Sequence, residues 1–423
     1  MRYLLIPLVT LASMFLAGSA AQDQAQESFP IAIGIILPPA QSGGVSEQID
    51  AYVRESADMG VEMAIEELGF NAQILGYELM VEVEEAADAE AAAAAARKLT
   101  EEGAMALAGG YGPGVAAAIA AQAQEAGVPF LNIGSPSPLL RNEQCSAWMF
   151  HIEPSGGMYL DALAGWYVGS GFRNWHLITG EGAADDILVE RLERALRDRH
   201  FGARVSGRST VDGSEESYVT ALEEGSEADV IVLFPRGDVQ LEILAVAEAA
   251  DVDVELTAFP WPETQTREYY REALEAAPGR ATHRTSAWEP TLDAYGAREL
   301  NARFEGKFNV PMDAPAWAAY QAVKLVFEAV SFGGVRNEAA LRDHFADEDA
   351  VFDVWKGIGV TFRPWNNQMR QTLFLVELVP EAESPRDRAL LVGELPAIYM
   401  PQTDPVERLD QLGDLRSATA CQF

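Results

Sequence analysis

The strongest constraint on the fold is a regular alternation of short apolar runs and helical stretches, repeated in two series. Residues 31–37 (Ile-Ala-Ile-Gly-Ile-Ile-Leu) read as a buried strand, ended by Pro38-Pro39 and a loop from Gln41 to Val45. Ser46 can cap a helix whose apolar positions Val53, Ala57, Val61, Ala64, Ile65 and Leu68 recur at helical spacing, with Gly69 closing it. Strand 77–83 leads through Asp88 into an alanine-rich helix ending at Leu99, and alanine both favours the helix and lets it pack close to a sheet. Strand 104–108, helix 113–126 and strand 128–133 complete the first series. The second series runs helix 158–168, strand 175–179, helix 185–200, strand 203–208, helix 215–224, strand 230–234, helix 239–249 and strand 256–259. Such alternation with short connections specifies parallel sheets covered by helices on both faces. The connection at Ile152-Glu153-Pro154 is the candidate hinge between the two series. After Thr282 come helices 295–308, 314–332 and 338–345, then strands 359–362 and 371–378. Helices without strands of their own must pack on a sheet already built, so the chain crosses between lobes more than once.

The first twenty residues place the protein in the cell. Arg2 gives a positive start, residues 4–17 are apolar, and Gly18-Ser19-Ala20-Ala21 offers small residues for signal peptidase, so 1–20 read as a cleavable signal peptide. A membrane anchor, the alternative, needs about 20 apolar residues. Leu16-Ala17-Gly18 opens a lipoprotein box, but Ser19 stands where the lipidated cysteine would be. A non-lipidated periplasmic protein beginning near Ala21 or Gln22 is expected. The formal charge of −35 repels nucleic acid and anionic lipid, so neither is an expected partner. Only Lys98, Lys307, Lys324 and Lys356 are lysines, a balance that fits either a saline habitat or an ordinary acidic secreted protein. In an oxidising compartment Cys145 and Cys421 are expected to form a bridge, with two free thiols as the alternative.

Enzyme signatures are weak. Gly109-Gly110-Tyr111-Gly112-Pro113-Gly114 lies between a strand and a helix but is not G-x-G-x-x-G; it reads as a loop allowing close approach to backbone N–H groups. There is no Walker A sequence and no G-x-S-x-G elbow. His151, His176, His200, His283 and His344 stand apart, so neither a metal nor another cofactor is expected. Glu66-Glu67, Glu84-Glu85 and Asp185-Asp186 read as solvated helix or loop ends. A binding protein needs polar groups and aromatic faces at the ends of parallel strands. Tyr111, Gly112, Gly134, Ser135 and Ser137 occupy such ends in the first series, and Glu181, Arg236 and Trp261 in the second. Arg236 could hold a carboxylate through a bidentate fork, or face solvent before its helix. Tyr111 and Trp261 suit an aromatic or apolar ligand body, while Trp288 is expected in the core.

The arrangement resembles the type I periplasmic solute-binding proteins of ABC importers, in the branched-chain amino-acid group. The carriers are Gly34-Ile35-Ile36-Leu37-Pro38, Gly60-Val61-Glu62-Met63-Ala64-Ile65 and Ala106-Leu107-Ala108-Gly109-Gly110. Ala126-Gly127-Val128-Pro129-Phe130-Leu131-Asn132, followed by Gly134-Ser135-Pro136-Ser137-Pro138-Leu139, is similar to the stretch presenting a ligand loop. The resemblance implies an α/β fold of two Rossmann-like lobes with parallel sheets, joined by a multi-crossover hinge. Lobe 1 would be 29–153 plus 285–348, lobe 2 would be 154–284 plus 349–400, and 401–423 a C-terminal tail. A narrower resemblance rests on 294–304, on 361–371, and on the ending Leu409-Asp410-Gln411-Leu412-Gly413 with Cys421-Gln422-Phe423. Those segments are similar to the branch associated with pyrroloquinoline-quinone-dependent alcohol dehydrogenase systems. The implied function is a monomeric receptor that delivers a small organic molecule, aromatic or carboxylate, to an inner-membrane ABC permease without chemical change. The alternatives are a ligand sensor on the same fold, or an accessory or hydrolytic protein of the alcohol-oxidation system. Two departures point away from leucine-type ligands. Tyr111-Gly112-Pro113-Gly114 stands where amino-acid binders usually carry a serine, and Gly180-Glu181-Gly182 where a tyrosine-glycine element is common.

Overall fold

The structure, a computed structural model, describes residues 28–40, 45–112, 114–280, 282–396 and 402–423, with backbone alone for 45–50. The expected signal peptide, 1–20, lies outside the described residues. Strands β1 (Phe29–Leu37), β2 (Tyr77–Glu85), β3 (Ala106–Gly109), β4 (Phe130–Asn132) and β5 (Met149–His151) form a parallel sheet in the order β2-β1-β3-β4-β5. Ile33 of β1 pairs with Val81 on one side and Ala106 on the other, so the apolar opening run is a central strand. Helices α1 (Val45–Leu75), α2 (Ala89–Glu101) and α3 (Val115–Ala126) cover the sheet. On α2, Ala92, Ala95, Ala96 and Leu99 are buried, and Asp88 caps it by accepting the Ala91 N–H at 2.9 Å.

The second lobe begins with α4 (Gly156–Gly169), capped by the Ser155 hydroxyl. It continues through β6 (Asn174–Thr179), α5 (Ala183–Asp198), β7 (Arg204–Thr210), α6 (Glu215–Glu224), β8 (Val230–Leu233), α7 (Gly237–Ala249) and β9 (Glu255–Ala258). These strands form a second parallel sheet in the order β7-β6-β8-β9. After α8 (Arg267–Ala276), strand β10 (His283–Ser286) starts an antiparallel sheet finished by β11 (Leu373–Leu378) and β12 (Ala389–Leu395). Between β10 and β11 lie α9 (Ala297–Phe308), α10 (Ala314–Ser331) and α11 (Glu338–Ala346). The chain ends with α12 (Pro405–Asp410) and a short 3-10 turn, Arg416–Ala418.

Helix α10 is buried along nearly its whole length and packs on α1, β1 and β3, which returns it to the first lobe. The approach of α1 is close enough that a Cβ on Gly60 would lie 2.2 Å from the Ala316 carbonyl oxygen, so only glycine fits there. Trp288 is buried as expected, its ring stacked on Trp317 at 5.6 Å. Cys145 and Cys421 are joined, with Cα atoms 5.9 Å apart, inside the range a disulfide requires.

Several boundaries differ from the sequence expectation. Helix α1 is already formed at Val45, one residue before the expected Ser46 cap, and it runs through Gly69 to Leu75. It continues because Val61, Ala64, Leu68 and Ala72 keep one buried face, and it stops before Gly76, whose φ of +81° breaks the helix. Residues 359–362 form no strand. Phe362 makes an isolated bridge to Met369 across a turn in which Asn367 N donates to the Arg363 carbonyl at 2.9 Å. Helix α8 and strands β5, β10 and β12 were not expected: β5 is three residues long, and β10 is the polar run His-Arg-Thr-Ser.

Candidate ligand-binding cleft

The C-terminal ends of β4, β8 and β9 open onto one cavity of about 370 Å³. Its walls are Gly112, Gly114 and the 134–139 loop from one lobe, and Ala183, Ala184, Asp185, Ile187, Leu188, Arg236 and Trp261 from the other. Of the residues expected from sequence, Gly112, Gly134, Ser135, Ser137, Arg236 and Trp261 come together there. Tyr111 and Glu181 are not among its lining residues.

The 134–139 loop takes its shape from buried side chains beneath it. Asn132, at the end of β4, accepts the Ser135 N–H at 2.9 Å and donates to the Ser135 carbonyl at 2.8 Å, while its amide also meets His151 Nδ1 at 2.9 Å. Arg141 is 1% exposed; it donates to the carbonyls of Ser135 (2.6 Å), Ser137 (3.1 Å) and Glu153 (2.7 Å), and to Gln368 Oε1 (3.0 Å). Burial lowers its guanidinium to about 10, opposed by Glu153 and Asp414. Tyr111 lies behind the loop rather than in it. A Cβ on Gly134 would sit 2.3 Å from Tyr111 Cδ1, so the ring fills the space that glycine leaves. The Tyr111 hydroxyl is buried with no hydrogen-bond partner among the described residues, and burial, then the Glu153 charge, push its pKa up.

On the opposite wall the Trp261 indole N–H donates to the Phe234 carbonyl at 2.9 Å and the Pro235 carbonyl at 3.1 Å. That fixes its ring beneath Arg236, whose guanidinium carbon is 5.0 Å from the ring centroid. Arg236 Nε also pairs with Glu263 Oε1 at 2.9 Å, and the Glu263 side chain is only 3% exposed. The arginine therefore reaches the cleft already aligned by an aromatic face and an acid. Glu181 is exposed. Its neighbour Gly180 donates its N–H to Asp185 at 2.7 Å, and it is Asp185, its carboxyl pushed up by burial, that lines the cavity.

Beneath the cleft a buried polar group stitches the crossings together. Gln371 donates to the Ile152 carbonyl at 2.6 Å and accepts from Lys356 Nζ at 2.6 Å, and Lys356 also contacts the Ala287 carbonyl. Gln265 accepts the Ala287 N–H at 2.7 Å and donates to the Tyr159 hydroxyl at 3.0 Å, which in turn donates to Glu153 at 2.9 Å. Burial raises the Glu153 carboxyl to about 8 against the pull of Tyr159, Arg141 and Lys356. Sequence reasoning missed Asn132, Arg141, Asp185, Glu263 and this set. Asn132 closes the segment that carried the family resemblance, but nothing in the spacing of Arg141 marks its inward turn. No group of three or more metal-ligating side chains converges among the described residues.

Two parallel-sheet lobes whose loops meet around one cavity define a bilobal ligand-cleft protein. The chain belongs to the periplasmic binding protein family, whose model it matches over residues 30–383. No curated protein matches it in sequence. Among solved structures it is similar to a periplasmic binding protein from Burkholderia mallei, with TM-score 0.74 and 19% identity over 93% of this chain and 98% of that one. A solute-binding protein of an ABC transporter from R. palustris, in complex with benzoate, gives 0.71 and 18% over 93% and 100%. A branched-chain amino-acid transporter substrate-binding protein from Streptococcus pneumoniae, in complex with isoleucine, gives 0.69 and 19% over 86% and 99%.

Proposed function

We propose that the protein is the periplasmic receptor of an ABC importer, capturing a small organic molecule between its lobes and releasing it unchanged to an inner-membrane permease. The observation that carries this reading is a cavity walled by strand-end loops of both sheets. Lobe 1, 29–153 plus 285–348, and lobe 2, 154–284 plus 349–400, are the two bodies that close. The signal peptide at 1–20 supplies the periplasmic location.

The walls favour a ligand with a flat or branched apolar body. Pro136, Pro138, Leu139, Ile187 and Leu188 face it from both sides, and Trp261 with Arg236 forms its polar end. Solved relatives bind benzoate and isoleucine, both carboxylates with an apolar body of this size. Arg236 is the group that would meet such a carboxylate, with Ser135 and Ser137 offering hydroxyls from the facing loop. Mass spectrometry of small molecules released from the purified protein, followed by calorimetry on the compound found, tests this. Stoichiometric binding with the compound recovered intact is expected. Conversion of the compound to a product would overturn the reading in favour of an enzyme.

A further inference from the structure

Among the described residues the backbone passes between the lobes three times: from β5 into α4, from β10 into α9, and from α11 to β11. Its last segment makes a fourth connection. On the second lobe, Asp161 of α4 accepts the Gly413 N–H at 2.6 Å and pairs with Arg199, which itself reaches the Gln411 carbonyl at 2.7 Å. Arg191 of α5 pairs with Asp414. At the third crossing, Arg363 is fully buried and donates to the carbonyls of Leu409 (2.6 Å) and Leu412 (2.7 Å), while Arg370 holds Asp410 at 2.7 Å. A few residues later the chain lies on the first lobe. Thr419 Oγ1 donates to the Arg141 carbonyl at 3.2 Å, Ala420 N donates to Asn142 Oδ1 at 2.5 Å, and Cys421 is bonded to Cys145.

We propose that residues 405–421 are a strap that limits how far the two lobes swing apart, anchored on one lobe by Asp161 and closed on the other by the Cys145–Cys421 bond. A hinge made of backbone crossings turns by small changes of φ and ψ in a few residues. A further link, fixed at both ends, turns that hinge into a closed ring whose opening is set by the slack in the link. Here the slack is small. From Asp414 to Thr419 there are five Cα steps, at most about 18 Å when fully extended, and part of that length is held in the 3-10 turn Arg416–Ala418. The strap also ends on ligand-loop machinery. It grips the backbone carbonyl of Arg141, the residue whose guanidinium holds the Ser135 and Ser137 carbonyls. Loss of the far anchor therefore frees both the opening angle and the support of the cleft loop.

The test uses the whole protein, dialysed free of small molecules, so it does not depend on which ligand the cleft takes. Small-angle scattering and amide hydrogen exchange are compared for the native protein, for native protein reduced by a dithiol after folding, for Cys145→Ser/Cys421→Ser, and for Asp161→Asn. Asp161→Asn leaves the disulfide in place and weakens only the anchor on the second lobe. Released straps give a larger radius of gyration and faster exchange at the 134–139 loop, while far-UV circular dichroism stays native. A disulfide that merely staples the chain end lowers the melting midpoint and leaves the radius alone. Reduction removes the first-lobe anchor outright, so an unchanged radius in the folded, reduced protein overturns the proposal, while an enlarged radius in Asp161→Asn supports it with the disulfide still in place.

Discussion

Arg236 shows how one side chain can be legible by position and yet hidden in its chemistry. Its place after β8 follows from the strand-end rule, but its partner Glu263 lies 27 positions downstream on a segment with no sequence signal. Removing the arginine does two things at once, because it takes a charge from the cleft and an ion-pair partner from a carboxylate that is 3% exposed. Arg236→Ala should therefore lower the melting midpoint and weaken an anionic ligand roughly ten- to a hundredfold, the size of a charge-assisted hydrogen bond. Adding Glu263→Gln should restore the midpoint but not the affinity. Calorimetry and thermal melts on both variants check this, and a double variant with native affinity would place the ligand's anionic group elsewhere. Tyr111 is the opposite case. Its aromatic character pointed to a ligand face, whereas the ring packs under Gly134 and its hydroxyl is buried without a partner. Tyr111→Phe should leave stability unchanged or raise it, since it removes an unsatisfied buried group. Gly134→Ala should cost about 1–3 kcal/mol, the usual range for overpacking, because the added methyl meets the ring. Urea unfolding of the two variants separates these effects.

At the scale of elements, the central strands and the helices covering them were legible because each obeys a local rule. Ile31 to Leu37 is apolar throughout, as a strand buried on both faces must be, and Asp88 announces α2 by its cap. What the sequence hid is held together by long-range pairing. Strand β10 is polar and exists because β11 pairs with it in antiparallel register, Thr285 opposite Leu375. Arg141, Arg363 and Lys356 are buried charges, the residue type least expected inside, and each is tolerated because carbonyls from distant segments surround it. The crossings carry a testable consequence. The Glu153 carboxyl titrates near 8 in the folded chain against 4.5 when exposed, because burial outweighs Tyr159, Arg141 and Lys356, with Glu263 adding to the rise. An acid raised by folding keeps its proton after the unfolded chain has lost it. Stability from this group is thus full below pH 4.5, falls as pH rises towards 8, and is level above that. Lys356, lowered by burial, works in the opposite sense, so the glutamate is isolated by comparison with Glu153→Gln, which keeps an acceptor for Tyr159. The variant should gain on the native protein as pH rises from 5 to 9 in urea midpoints. Parallel curves would show that Glu153 is ionised in the folded state throughout that range.

For the whole molecule, the hinge has to satisfy two demands that pull apart. Its crossings carry a buried polar set, Glu153, Lys356 and Gln371, whose members lose partners if the segments separate. The cleft loops above it must nevertheless open to admit a ligand. A polar hinge core answers both, because hydrogen bonds to backbone carbonyls tolerate a rotation of a few degrees, while an unpaired buried charge penalises a larger one. Apolar contact between the lobes would not discriminate in this way, since it is roughly proportional to buried area and has no preferred angle. Closure then comes from the ligand, which binds the closed arrangement better than the open one and shifts the population towards it. Ligand at a hundred times its dissociation constant should add about 2.7 kcal/mol to stability by mass action, with a smaller radius of gyration at the same concentration. Gln371→Ala removes the link between Ile152 and Lys356 without touching the cavity wall. It should raise the radius of gyration of the ligand-free protein and weaken binding, while the ligand-saturated radius stays native. Scattering with and without the compound identified by mass spectrometry decides this. An equal shift of both radii would mean that the variant distorts the closed state too, and that the polar set fixes the shape of the lobes rather than the angle between them.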